Sequence, residues 1–389
     1  MNKTRGKLFF RLAITTIAMQ IVLACWIVTA TARGGTQTAS TAPQQPAAAL
    51  KTVEQVQKNI QVLKGLPQTQ LLPVMNFMSA SLGVRCNFCH VNKDGNWDFA
   101  SDEKGEKKAA REMITMVLGI NKNTFRGNTD VSCYTCHRGR STPQGVPQLP
   151  LPQPTPRATP AEQAAAKETL PTAEQVLGKY LDAVGGTAAI EKLKTRTMKG
   201  TWTGANGTTL NYELFQIAPN KVLAVITTPQ GLVERAFNGS VGWERSPRGV
   251  RDMVEEEMAY YKRYLDLFKD IKLKDQFSRI TVAGKDKIDG RDVYVLRGTT
   301  TDNRRERLYF DVETGLLVRR LSLTSTSIGN IPEQVDFEDY RDVDGMKVPF
   351  TIRVSAIDPV YTSTRKFTEV KLNVPIDESR FNKPSAITK

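Results

Sequence analysis

Cys86-Asn87-Phe88-Cys89-His90 and Cys133-Tyr134-Thr135-Cys136-His137 are two copies of one five-residue pattern. They decide how the first part of this 389-residue chain is built. In a Cys-x-x-Cys-His run the two thiols are spaced to form thioethers with the vinyl groups of one haem, and the adjacent imidazole binds the iron from below. Cys86, Cys89, Cys133 and Cys136 are therefore the expected attachment residues for two covalently bound c-type haems. His90 and His137 are the expected proximal ligands. The chain has only two histidines, and both lie in these motifs. The far side of each iron must be met by Met, Lys, a foreign group, water or nothing.

Upstream of each motif the apolar residues repeat at helical spacing. Val53, Val56, Ile60 and Leu63 predict a helix that Gly65 and Pro67 end. Leu71, Met75, Met78 and Leu82 share one face of a second helix, closed by Gly83. Ala109, Met113, Met116 and Ile120 repeat the pattern before the second motif. The segment looks duplicated: a Met-bearing helix, a loop, then Val-x-Cys-x-x-Cys-His. A thioether sits comfortably on a buried helical face, and Met/His ligation raises a haem's potential. Met75 or Met78 is the candidate distal ligand of the first haem, and Met113 or Met116 of the second. The competing reading is that all four are core filler. Trp97 reads as core or as packing on a haem edge. Arg111 and Arg138 read as propionate partners or as surface residues. Asp102–Lys108 reads as a solvated helix start.

Working outward, Met1–Lys7 and Arg11 place positive charge before an uncharged stretch from Leu12 to Ala32. That order directs the rest of the chain out of the cytoplasm. Ala30-Thr31-Ala32 suits signal cleavage, while the length of the stretch approaches the roughly 20 residues that span a bilayer. Residues 1–32 are thus a signal peptide or an N-terminal membrane anchor. Cys25 follows a loose lipoprotein-like box, or is simply membrane-buried. Residues 33–50 form a flexible tether, and the prolines from 141 to 171 form a semi-rigid spacer. Hydrophobic content of 40% is too low for a polytopic membrane protein. A net charge of +14 fits an acidic redox partner or anionic lipid. No basic stripe interleaved with aromatics argues for nucleic acid.

Beyond the spacer the period changes. Thr172-Ala173-Glu174-Gln175 is a capping box opening a helix through Val184. A short helix follows near Ala188–Leu193. Alternating runs then predict strands at Thr209–Ile217, Val222–Thr227, Asp292–Arg297, Arg307–Val312, Leu316–Leu323, Gln334–Tyr340 and Thr351–Val354. Asp311–Leu316 and Asp342–Met346 are hairpin turns with Gly315 and Gly345 at the left-handed position. One helix, about Val254–Lys274, interrupts the strands and carries Met258, Tyr261, Leu265 and Phe268 on one side.

Ser81–His90, Ala110-Arg111-Glu112-Met113, Gly119-Ile120-Asn121 and Val131–Gly139 resemble the cytochrome c subunit of photosynthetic reaction centres. The resemblance covers residues 68–140. In that family a helical Met upstream of each motif is the sixth iron ligand. It implies Met75 and Met113 as the distal ligands, with Met78 and Met116 as alternates. Well-known members carry four haems, use His as one distal ligand and lack a β-rich extension. Residues 172–389 resemble the half-barrel of periplasmic lipoprotein carriers, through Leu316–Val318 and Asp339–Gly345. That family encloses an apolar groove, which here holds a lipid or quinone-like molecule or is filled by its own side chains.

The expected fold is α+β and multidomain: a small all-α dihaem cytochrome c domain at 51–140, a Pro-rich linker at 141–171, and an antiparallel β half-barrel with helices at 172–389. The expected function is electron transfer by an extracytoplasmic, membrane-tethered dihaem cytochrome. It would be no enzyme, and would sit on the periplasmic side of the inner membrane or in the periplasm. Its partners would be redox proteins, a reaction centre or a respiratory complex among them. Three other readings compete. The β-rich part would bind an apolar ligand or partner with haem as sensor; an open iron would make a haem enzyme; or the four cysteines would hold zinc, which leaves the adjoining histidines unexplained. A thioredoxin-like redox motif lacks its βαβ context.

Overall fold

The computed structural model describes residues 51–146, 170–254, 257, 258, 261, 265–359 and 361–384. The leader, the tether and most of the Pro-rich run lie outside these described residues. The described residues fall within one compact unit. The protein combines helices with one large antiparallel sheet, so its class is α+β.

The helix expected across Val53–Leu63 is a single turn, α1 (Val53–Val56). Thr52 and Gln55 cap it, but Asn59 and Leu63 take φ of 59° and 62°, which no right-handed helix contains. The apolar spacing still serves packing, because Val53 and Leu63 are buried in the same cluster. Helix α2 (Leu71–Leu82) forms where expected and ends on Gly83 at φ 67°. The first Cys motif is a 3-10 turn, and His90 N donates to Cys86 O at 3.0 Å. A hairpin follows, β1 (Val91–Lys93) and β2 (Asn96–Asp98), turned by Asp94 and Gly95 at positive φ. Helix α3 (Gly105–Thr124) leads to α4 (Cys133–His137), the second Cys motif.

Helices α5 (Ala173–Ala183) and α6 (Gly186–Lys192) open the β-rich part. The capping box is present, with Gln175 N donating to Thr172 Oγ1 at 3.2 Å. The sheet has thirteen strands: β3 (Thr195–Gly204), β4 (Thr209–Ile217), β5 (Lys221–Thr228), β6 (Gly231–Phe237), β7 (Gly242–Ser246), β8 (Gly249–Asp252), β9 (Phe277–Ile288), β10 (Arg291–Thr300), β11 (Arg305–Asp311), β12 (Leu317–Thr326), β13 (Gly329–Val343), β14 (Met346–Ala356) and β15 (Ser363–Leu372). All seven expected strands are among them. Strands β3, β6–β9 and β15 are additional.

Strands β3 to β8 run outward to one edge, β9 starts the other edge, and β15 returns to pair with β3. The sheet does not close. Residues 253–276 carry the chain from one edge to the other, and Met253, Tyr261, Leu265, Leu267 and Leu273 join the main core beneath them. The expected helix there is not continuous. Residues 255, 256, 259, 260 and 262–264 lie outside the described residues, Glu257, Met258 and Tyr261 are helical, and the chain turns from Leu265 onward. Buried Gln216 explains part of the break, since its side-chain amide takes the Leu265 carbonyl that a continuing helix would use.

The Cys-bearing segment is seated on the sheet. Val53, Leu63, Leu66, Val74, Phe77, Ile114 and Cys133 form one cluster, which Ile328 of the β12–β13 turn completes. Thr129 Oγ1 donates to Thr326 O at 3.4 Å, and Asn76 Nδ2 donates to Asp358 Oδ2 at 2.8 Å.

Candidate haem sites

Each motif occupies about one helical turn, which puts its two thiols side by side with the His one residue on. Ser132 and Thr135 cap the second turn, Ser132 N donating to Thr135 Oγ1 at 3.0 Å. All four thiols are free. Among the described residues no three His, Cys, Asp or Glu side chains converge to hold a metal ion. Cys86 and Cys136 are exposed and Cys133 is buried. Burial pushes the Cys133 thiol up from its ordinary value. Burial, then Glu106, does the same at Cys89.

The two imidazoles are held differently. His137 Nδ1–H donates to the Arg140 carbonyl at 2.9 Å. That bond fixes the tautomer and leaves Nε2 without a proton, as metal-binding His requires. His90 Nδ1 is buried and meets no hydrogen-bond acceptor in good geometry. Its ring is held instead by Phe99, edge-on at 5.2 Å, and Phe99 stacks on Trp97 at 5.3 Å. Burial lowers the His90 pKa, and Lys107 adds to this against a weaker pull from the Phe99 main chain.

A cleft of about 990 Å³ lies against the first motif. Asn76 and Ser79 of α2, Cys86, Trp97, Ile357 and Pro359 are among its walls. Trp97 is 42% exposed and lines this cleft, so it is no core residue. The sheet's β14–β15 loop is thus part of the surroundings of Cys86.

Met75 and Met78 are partly buried against the cluster that α2 helps to build. On α3 the expectation of one buried Met face fails. Ile114, Val117 and Asn121 face inward, while Met113 and Met116 are 43% and 45% exposed. Positions 113 and 116 lie a third of a turn or so around the helix from 114 and 117. The helix therefore has two apolar stripes, one packed and one left out of the core. Free paired thiols, a bare imidazole nitrogen at His137 and methionine thioethers on the helix before each motif are a donor set that fits c-type haem.

Sequence reasoning missed the charged frame around His90. Lys107, expected in solvent, is buried and donates to the carbonyls of Phe99, Ala100 and Ser101 at 3.0, 3.0 and 2.7 Å. Arg111 is no surface group: it pairs with Asp102 at 2.9 Å and is 14% exposed. Asp102 also takes Lys107 at 3.2 Å and Asn59 at 2.9 Å. These partners, Arg111 first, hold its carboxyl well below the usual range. Carbonyl acceptors such as Arg140 O leave no mark in a sequence; only Lys107, three residues into a helix start, was there to be weighed. Arg138 is exposed and ends α4 at φ 50°.

Residues 15–181 match the family described as photosynthetic reaction centre cytochrome C subunit. The chain is similar to that family. A photosynthetic reaction center cytochrome c subunit of Thermochromatium tepidum is 38% identical over 96 residues, 23% of this chain and 22% of that protein. Cytochrome c-554 of Chloroflexus aurantiacus is 39% identical over 87 residues, 20% of each chain. The chain thus spans about a fifth of the length of these relatives. Among solved structures, a LolA superfamily protein of Nitrosomonas europaea overlaps 55% of this chain and 99% of its own, at 15% identity and a TM-score of 0.38. The expected resemblance to the reaction-centre cytochrome family is borne out by these matches.

Proposed function

We propose that the chain is a membrane-tethered, extracytoplasmic dihaem c-type cytochrome that passes electrons between redox proteins. The observation that carries this is the pair of free thiols on each of two helical turns, each followed at once by His. Cys86 and Cys89 would hold one haem, Cys133 and Cys136 the other, with His90 and His137 as proximal ligands. When bound, each haem supplies one reversible electron. The residues' own work is to anchor, to orient the imidazoles and to keep water away.

Met75 and Met113 would complete the coordination, with Met78 and Met116 as alternates. Helix geometry favours Met75 for the first site. Asn76 and Ser79 line the cleft; Met75 stands about 100° and about 40° from them around α2, and Met78 about 160° and about 100°.

Residues 51–140 would be the dihaem domain, 141–171 the linker, and 172–389 a half-barrel-like domain that supports and docks. The cavity between the crossing segment and the sheet is about 180 Å³, small beside the roughly 300–1,000 Å³ of ligand sites. A second cavity, of about 520 Å³ between the crossing segment and the β10–β11 turn, is walled mostly by charged and polar residues such as Lys269, Asp302 and Arg304, so a filled interior is favoured over an apolar-ligand carrier. The N-terminus would hold the protein on the periplasmic side of the inner membrane. Among the described residues no helix is long and apolar enough to cross a membrane, and residues 1–50 lie outside them. A reaction centre or a respiratory complex with an acidic docking face suits the net charge of +14.

A pyridine haemochrome assay on exported protein tests the reading. Two covalent haems per chain are expected; fewer than two would remove its basis.

A further inference from the structure

The two proximal histidines stand in unlike surroundings, and the difference has a direction. His137 Nδ1–H donates to Arg140 O at 2.9 Å. A ligating imidazole that gives its second proton to a carbonyl becomes the more basic ligand. A more basic ligand favours ferric iron and lowers the potential. Among the described residues His90 Nδ1, buried, has no such acceptor in good geometry; the Phe99 main chain exerts only a weaker pull, and the ring packs T-shaped against the Phe99 ring. That imidazole donates less.

Charge acts in the same sense. Lys107, Arg111 and Lys104 all bear on His90. Asp102 pairs with Lys107 and Arg111 and offsets part of their charge, and Glu106 beside Cys89 offsets more, so three cations face two carboxylates. Net positive charge near an iron favours its reduced form. Around His137 the ring instead ends at the main chain of Arg140, in a turn whose neighbours Arg138 and Arg140 are exposed and screened by solvent.

We infer that the sites are unequal by construction: His90 holds its haem at the higher potential, His137 at the lower, and electrons move from the second site to the first. This rests on the dihaem reading and on like distal ligands. The first site also borders Trp97, whose exposed ring offers a short route onward.

The test uses the full chain, after haem content has been shown to be two per polypeptide, so that failure of the dihaem reading is seen separately. Redox titration is expected to give two one-electron waves with at least a tenfold difference in reduction ratio, which is about 59 mV. Lys104→Gln is expected to lower only the upper wave. An independent readout needs no variant. With only two histidines in the chain, ¹⁵N-histidine labelling yields two imidazoles in the reduced protein. One Nδ1–H, in contact with Arg140, is expected to be strongly hydrogen-bonded and slow to exchange; the other, at His90, is not. A single wave, a Lys104→Gln shift in the lower wave, or two equally protected Nδ1–H protons would overturn the inference.

Discussion

Gly83 and Gly139 meet main chain to main chain. A Cβ on Gly83 would lie 2.1 Å from Gly139 O, and Gly139 N donates to Ser81 O at 2.8 Å. The end of the first Met helix is thereby tied to the end of the second Cys motif. Two sites that are 47 residues apart in the chain, counting from Cys86 to Cys133, share one joint.

Gly83→Ala is therefore expected to destabilise the protein by about 2–4 kcal/mol. Left-handed φ costs an L-residue about 1–2 kcal/mol, and the clash with backbone cannot be relieved by a rotamer change. Gly119→Ala is the control: it sits inside α3 with open space around it and should gain about 0.5–1 kcal/mol. Chemical denaturation of both variants checks the pair.

Ile328 is fully buried among residues of the Cys-bearing segment although it belongs to a sheet turn. Ile328→Ala should cost about 2–4 kcal/mol. The sharper outcome is where the loss is felt. Amide exchange should quicken at Val74–Phe77 and at Cys133, as well as in the β12–β13 turn. Exchange confined to the turn would mean that the segment does not lean on this contact.

The parts of the site that were legible in the sequence are those whose chemistry is local. Five consecutive residues carry the thiols and the imidazole, and Leu71–Gly83 carries both a helical stripe and its stop signal. What was not legible depends on partners far along the chain. Strand β15 puts Ser363 and Arg365 on inward positions, so its alternation does not read as apolar. Strand β3 is rich in Thr and has Gly200 where a Cβ would strike Lys366 O at 2.0 Å, a close approach only the fold explains. Edge strand β9 is mostly exposed, and Gly284 and Asp286 break the apolar alternation that Ile280 and Val282 begin. Helical spacing over 53–63 was real as a burial pattern but not as a helix, because Asn59 and Leu63 take positive φ.

The second distal ligand can be separated from its neighbour by one spectrum. Met113 and Met116 are nearly equally exposed on α3, so burial does not choose between them. With Met113 as the ligand, Met113→Leu should remove about half of the sulfur–iron charge-transfer band of the oxidised protein and lower one of the two potentials. Met116→Leu should change neither. The reverse result would move the ligand to Met116 and leave the attachment residues untouched.

Thiol access before haem attachment follows from burial. In protein made without haem, alkylation at pH 8 should label Cys86 and Cys136 first. Cys133 is 9% exposed and its thiol is pushed up by burial, so less of it is thiolate and less of it is reached. Peptide mass spectrometry of timed samples gives the order. Labelling of Cys133 at the rate of Cys136 would mean that α4 is not formed in the haem-free chain.

Lys269 gives the sheet its own pH signature. It lies beside a buried ion network in which Arg320 meets Asp270 at 3.0 Å and Glu306 at 3.5 Å. Burial, with Arg320 adding repulsion, pushes the Lys269 amine down to about 8 from an ordinary value of 10.5. The folded value lies below the unfolded one, so between them the unfolded chain binds more protons. Stability then rises with pH across that window, and below pH 8 the full penalty of charging a buried amine is present. Lys269→Met removes the charge and keeps most of the volume. It should stabilise the protein at pH 7 by about 1–3 kcal/mol, the gap between the two values setting the ceiling at about 3 kcal/mol. The gain should shrink steadily above pH 8 and vanish by about pH 10.5. Urea denaturation of both proteins at pH 7, 9 and 10.5 measures it. A gain that stays constant with pH would trace to packing alone, and a loss at pH 7 would mean that the amine's charge is needed by Glu306 and Asp270.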